Sequence, residues 1–127
     1  MASSFPLVLK GAKLDRLPYC LLDTGSPETF INPRLAEEAG IALDDAEHVG
    51  EFHLEGHACT GLKKNVTCLV VCGKESMIEL PSIPVIFADP WPARREFDVV
   101  LGTLSMEHIR VTISSRSHWI DIQPESN

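Results

Sequence analysis

The sequence lacks any apolar run near the roughly 20 residues that a membrane-spanning helix needs. Its first apolar stretch, Phe5–Leu9, is interrupted by Pro6 and is too short for a signal peptide. The expected compartment is therefore the cytoplasm, with no membrane partner. A basic patch is also missing. Lys63-Lys64 and Arg94-Arg95 are the only adjacent basic pairs, and the formal net charge is -7. Phosphate backbones are bound by clustered Lys and Arg, so nucleic acid is not an expected partner. The four cysteines (Cys20, Cys59, Cys68 and Cys72) form no paired framework, and they read as reduced thiols. Internal repeats and low-complexity segments are absent as well.

What remains is a chain of ordinary globular composition, 44% apolar and 23% charged over 127 residues. That length suits a single domain, 1–127, with a core that needs no staples. Short apolar runs alternate with Gly, Pro and Asp. Strands are predicted over 5–9, 17–23, 49–55, 62–72, 77–80, 83–88 and 97–102, with two more in 111–115 and 118–122. Asn32 and Pro33 form a good helix start, and Gly40 fits just past the end of a helix over 33–39. Thr103 can cap a second short helix, Leu104–Ile109, with Glu107 near the capping-box position. Many short strands with two short helices favour a small barrel-like or sandwich-like β fold.

Leu21-Leu22-Asp23-Thr24-Gly25-Ser26 is the stretch with chemical content. A carboxylate that directly follows a buried strand loses hydration unless donors surround it. Thr24 and Ser26 offer hydroxyls, and Gly25 removes a side chain so that backbone or ligand can approach. A plain Asp-Gly turn with a side-chain-to-backbone bond accounts for the same residues.

"LLDTGS" resembles the signature of the aspartic proteases. The segment after it, "SPETFINPRLAEEAGI", resembles the one that follows the catalytic loop in retropepsin-like proteases of bacteria and retroelements. "FDVVLG", about eighty residues on, is similar to the family's apolar-apolar-Gly element. "FPLVLKGAKLDRLPYCLLD" begins as the family's chains begin: strand, glycine turn, strand, Asp-Thr-Gly. The resemblance spans roughly residues 5–113 and implies a small closed β-barrel of the acid-protease, retropepsin-like type with two short helices.

It also implies roles. Asp23 is the acid/base carboxylate. Thr24 bridges to the partner's loop, Gly25 allows close approach, and Ser26 hydrogen-bonds the outer oxygen of Asp23. Val100, Leu101 and Gly102 form the strand that supports the catalytic loop. The reaction needs two carboxylates sharing a proton and no cofactor or metal. This chain has one such motif; Asp98 precedes Val99, and Asp89 precedes a proline. An active enzyme is then a homodimer, with Asp23 facing its copy across a two-fold axis.

The resemblance further implies a hairpin flap over a peptide or protein substrate. The expected tip is Gly56, His57, Ala58, Cys59, Thr60 and Gly61, set between two glycines. The expected activity is that of an aspartic endopeptidase. The alternative is a non-catalytic module of the same fold for peptide binding or dimerisation. A third reading, zinc at His53, His57, Cys59, Cys68 and Cys72, is disfavoured because their spacing matches no Cys-x2-Cys knuckle. No Ser-His-Asp arrangement can be built.

Overall fold

The computed structural model describes residues 4–12, 17–22, 25–71, 77–92, 97–114 and 119–124. Its strands are β1 (Ser4–Leu9), β2 (Tyr19–Leu22), β3 (Phe30–Ile31), β4 (Glu47–Leu54), β5 (His57–Val71), β6 (Met77–Asp89), β7 (Val99–Leu101), β8 (Ile109–Ser114) and β9 (Trp119–Pro124). One helix, α1 (Pro33–Glu38), follows β3. Strands β1-β2-β7-β3-β6-β5 lie side by side in that order, and β5 pairs back onto β1. The six strands thus close into a barrel. β4 hangs on the free half of β5 as the outer arm of a hairpin, and β8–β9 form a separate two-stranded sheet.

The near-continuous apolar runs are explained by two clusters, one on each face of the same strands. Val99 and Leu101 of β7 point into the barrel with Leu7, Leu9, Ile31 and Phe87. Val100, between them, faces the other way, with Phe30, Ile86 and Ala88. Alternation along a strand sends neighbours to opposite faces. Here both faces are covered, because Leu54 and Cys59 of the hairpin pack over the outer one. Each fully buried large side chain stabilises by about 1.5–3 kcal/mol.

α1 starts and stops as its sequence predicts. The Asn32 side chain accepts from the backbone N–H of Arg34, and Pro33 takes the first turn. At the other end Gly40 N donates to Glu37 O and Ile41 N to Ala36 O, which satisfies two of the last carbonyls.

Two expectations change. The strands predicted over 77–80 and 83–88 are one strand, β6, with a corner. Val66 faces Ile83 and Cys68 faces Leu80, so Thr67 alone opposes Pro81 and Ser82. Ser82 takes φ 49°, and its N–H donates to Thr67 Oγ1 at 3.3 Å. Pairing continues through a bend that reads as a break in the sequence. The second helix is a single 3-10 turn, Ser105–His108, before β8 begins. The N–H groups of Thr103 and Leu104, which a helix starting there leaves without intrahelical partners, bond to Ser26 O and Pro27 O.

Cys20 and Cys68 lie inside the barrel with no exposed surface. Burial pushes both thiols up, Cys68 to about 12 from the ordinary 9.0, and the neighbouring Cys68 adds to the rise at Cys20. A thiol is reactive as its thiolate. At neutral pH an alkylating reagent is therefore expected to modify these two only on global unfolding, as peptide mapping can check. The raised value at Cys68 contributes stability that is whole below about pH 9 and lost as pH rises towards 12, and burial of Cys20 acts in the same direction. Cys68→Ala should flatten that alkaline decline.

Candidate active site

β7 sits between β2 and β3, parallel to the first and antiparallel to the second. Leu22 pairs with Leu101, and Phe30 pairs with Val100. The loop 23–29, which joins β2 to β3, must therefore cross the C-terminal end of β7. Asp23 and Thr24 lie outside the described residues, so their expected roles carry no geometry. The residues that flank them are placed.

Three successive backbone N–H groups after β7 bond to that loop. Gly102 N donates to Thr29 Oγ1 at 3.0 Å, Thr103 N to Ser26 O at 2.8 Å, and Leu104 N to Pro27 O at 3.2 Å. Thr29 Oγ1 also lies 2.6 Å from Ser105 Oγ; either hydroxyl can be the donor. Thr29 and Ser105 are both buried. The Ser26 hydroxyl donates to Glu28 O at 3.2 Å, and Gly25 is exposed at the turn. Val100 and Leu101, both fully buried, and Gly102 lie beneath the loop. A Cβ on Gly102 would collide with the carbonyls of Glu28 and Pro27.

Thr29 is a positioning residue that sequence reasoning missed. Its partner Ser105 is 76 positions away, and nothing local marks the pair. Thr29→Val keeps the shape and removes the hydroxyl. It leaves the buried Gly102 N–H without its acceptor, at about 1–3 kcal/mol, and unpairs Ser105 as well. A total loss of about 2–4 kcal/mol is expected from denaturant melts, and a change under about 0.5 kcal/mol would remove the role.

The β4–β5 hairpin turns at Glu55–Gly56, with φ 51° and 80°. Both residues are left-handed, as a two-residue hairpin turn demands, and Leu54 pairs with His57. The tip is thus shorter than expected. Of the six residues predicted for it, only Gly56 is in the turn; His57, Ala58, Cys59, Thr60 and Gly61 belong to β5. At Cys59 and Gly61 small size reflects packing. Cys59 is buried, with its Sγ 3.2 Å from Pro90 O, and a Cβ on Gly61 would meet the Ile86 side chain. Burial raises the Cys59 thiol, and the carboxylate of Asp89 raises it further.

Between hairpin and loop lies a cavity of about 430 Å³, lined by Glu28, Phe30, Glu47, Phe52, Lys63 and Ile86, together with His48 and Val49. Phe30 and Phe52 stack at 5.2 Å. Lys63 of β5 reaches Glu28 of the loop at 3.8 Å. Sequence inspection missed this contact too, because the two charges are distant in the chain.

No family model matches the sequence, and no curated protein does. Solved structures do. A retropepsin-like aspartic protease from Rickettsia conorii superposes with a TM-score of 0.59 at 16% identity, over 95% of this chain and 80% of that one. The retroviral protease-like domain of Ddi1 from Leishmania major gives 0.58 at 11%, over 100% and 98%. The fold is retropepsin-like.

Within this retropepsin-like barrel the hairpin and the 23–29 loop come from separate stretches of sequence, and the barrel brings them together around one cavity. The residues weighed for zinc are dispersed. His53 and His57 are exposed on opposite arms of the hairpin, Cys59 faces Pro90, and Cys68 pairs with Leu9 in the barrel. Cys72 lies outside the described residues. Among those described, no three His, Cys, Asp or Glu side chains could hold a metal ion. No described helix is long and apolar enough to cross a membrane. Trp91, unassigned in the sequence, packs on the outer cluster, and its Nε1 donates to Phe97 O at 3.4 Å.

Proposed function

We propose that the chain is one protomer of a homodimeric aspartic endopeptidase. The observation that carries this reading is the set of three bonds from Gly102, Thr103 and Leu104 to Thr29, Ser26 and Pro27, the segment that completes and follows the Asp-Thr-Gly-Ser sequence. It occurs in a fold shared with a retropepsin-like aspartic protease. Two copies of Asp23 supply the reacting pair. Close carboxyls resist joint ionisation, so one is charged and the other protonated. The charged one takes a proton from water as its oxygen adds to the scissile carbonyl carbon. The protonated one gives its proton to the carbonyl oxygen. Collapse of the tetrahedral species then breaks the C–N bond, with a proton passing to the leaving nitrogen. The pair titrates as a unit.

Substrate lies extended between loop and hairpin, with side chains entering pockets such as the Phe30–Phe52 cavity. The separate β8–β9 sheet supports pairing of protomers. Among the described residues its outer edges are unpaired, and open edges are sites of strand addition. The three described cysteines are free thiols, which supports a reducing compartment such as the cytoplasm.

The test is assembly together with turnover. Sedimentation should give twice the 14.0 kDa chain mass. Specific activity on a quenched peptide should fall on dilution as protomers separate. Undiminished cleavage by a species of single-chain mass would overturn the reading.

A further inference from the structure

The larger cavity is not the one beside the loop. It is a cleft of about 870 Å³ on the other side of the hairpin root, between α1, the 40–46 connection, and strands β4, β5 and β6. Strand alternation separates the two spaces. Leu62 and Phe87 line this cleft, whereas their neighbours Lys63 and Ile86 line the smaller cavity. His48 and Val49 border both. No described residue of the 23–29 loop lines the cleft. Its volume is in the range that encloses a small organic molecule.

The chemistry of the walls points to one class of occupant. Pro33, Leu43, Val49, Leu62 and Phe87 give an apolar lining. Of the charged groups at the rim, Arg34 is already committed, 3.7 Å from Asp98 and 3.6 Å from Glu38. Glu37 and Asp89 make no ion pair among the described residues, and both are exposed where the cleft opens. The rim therefore carries two uncompensated carboxylates above an apolar floor. The overall charge of -7 reinforces the sign. A buried apolar body with a cationic end matches both parts.

We propose that this cleft is a second binding site, for a small amphipathic amine: an aromatic or branched apolar body carrying one ammonium group. Its walls include the root of the hairpin, where Gly50 and Glu51 of β4 oppose Thr60 and the pairing register shifts. An occupant rests against the place where the hairpin bends.

The test is a titration of the whole chain with 2-phenylethylamine, followed by backbone amide NMR, with 3-phenylpropionate and 2-phenylethanol as matched controls. The amine should bind in the millimolar range that a fragment of its size allows. Its shifts should centre on amides of residues 33–37, 43, 49, 60–62 and 87–89. The carboxylate should bind about tenfold more weakly, with the alcohol between them. Glu37→Gln with Asp89→Asn should weaken the amine about tenfold and leave the alcohol unchanged. Leu43→Trp, which fills the cleft, should weaken all three, and the amide spectrum of each variant shows whether it is folded.

Equal binding of amine and carboxylate, retention of amine affinity in the charge-neutral variant, shifts centred on Glu28 and Phe30, or no binding would each overturn the proposal. Asp23→Asn protein should bind the amine as the wild type does. The site thus stands or falls independently of proteolysis.

Discussion

Asp23→Asn is expected to lower peptide cleavage by at least about a thousandfold while leaving the fold intact. General acid–base catalysis by a positioned carboxyl is worth about 10²–10⁴ in rate, and in a homodimer one substitution removes both groups. An amide can neither take a proton from water nor give one to a carbonyl oxygen at the required step. It is nearly the size of the carboxyl, so packing is preserved. Two close carboxyls repel when both are charged, so the neutral variant should dimerise at least as well as the wild type at neutral pH. The check has two parts: single-turnover cleavage of a peptide by each protein, and sedimentation of each. A folded dimeric variant that cleaves as fast as the wild type would remove the catalytic role. The fold would then serve as a module for peptide binding or dimerisation. In the wild type, kcat/KM should rise and fall with pH, the two limbs marking the pair's two proton losses.

Gly102→Ala is the second large effect, and it acts through the backbone. A Cβ at this position meets Glu28 O and C and lies 2.6 Å from Pro27 O. These are main-chain atoms of the loop that β7 supports, and Thr103 N and Leu104 N are bonded to the same segment. The chain cannot yield on one side without breaking bonds on the other. A loss of more than about 3 kcal/mol is expected, at the upper end of the cost of overpacking. Gly61→Ala is the control. Its closest neighbour, at 2.5 Å, is a side-chain atom, the Cγ2 of Ile86, and the nearest backbone atom, Phe87 O, lies at 3.2 Å, farther than those at Gly102. A smaller loss of about 1–2 kcal/mol is expected there. Denaturant midpoints with unchanged slopes would measure both. A Gly102→Ala protein as stable as the wild type would mean that the loop does not rest on β7.

These positions also show where the sequence was legible. Asn32-Pro33 marked the start of α1 because capping is a local event within three residues. Phe97–Gly102 read as a buried strand because both of its faces are apolar, and the packing on either side of Val100 accounts for that pattern. The barrel followed from the order of such runs and from the Asp-Thr-Gly resemblance. The rest depended on pairing that local sequence does not encode. Gly56 and Gly61 looked alike as turn glycines; one turns the chain, and the other makes room for Ile86. Pro81 and Ser82 looked like a break between strands, yet Thr67 across the sheet absorbs the bend. The contacts between Thr29 and Ser105, and between Lys63 and Glu28, join residues that only the closed barrel makes neighbours.

The position of β7 between β2 and β3 also bears on the order of assembly. β2 and β3 do not pair with each other; the strand that lies between them is made some seventy to eighty residues later. A chain emerging from the ribosome therefore lacks the bonds that hold Ser26, Pro27 and Thr29 until Gly102, Thr103 and Leu104 have been synthesised. Contacts so far apart in sequence slow folding, so the 25–29 segment takes its final position only after β7 has been made.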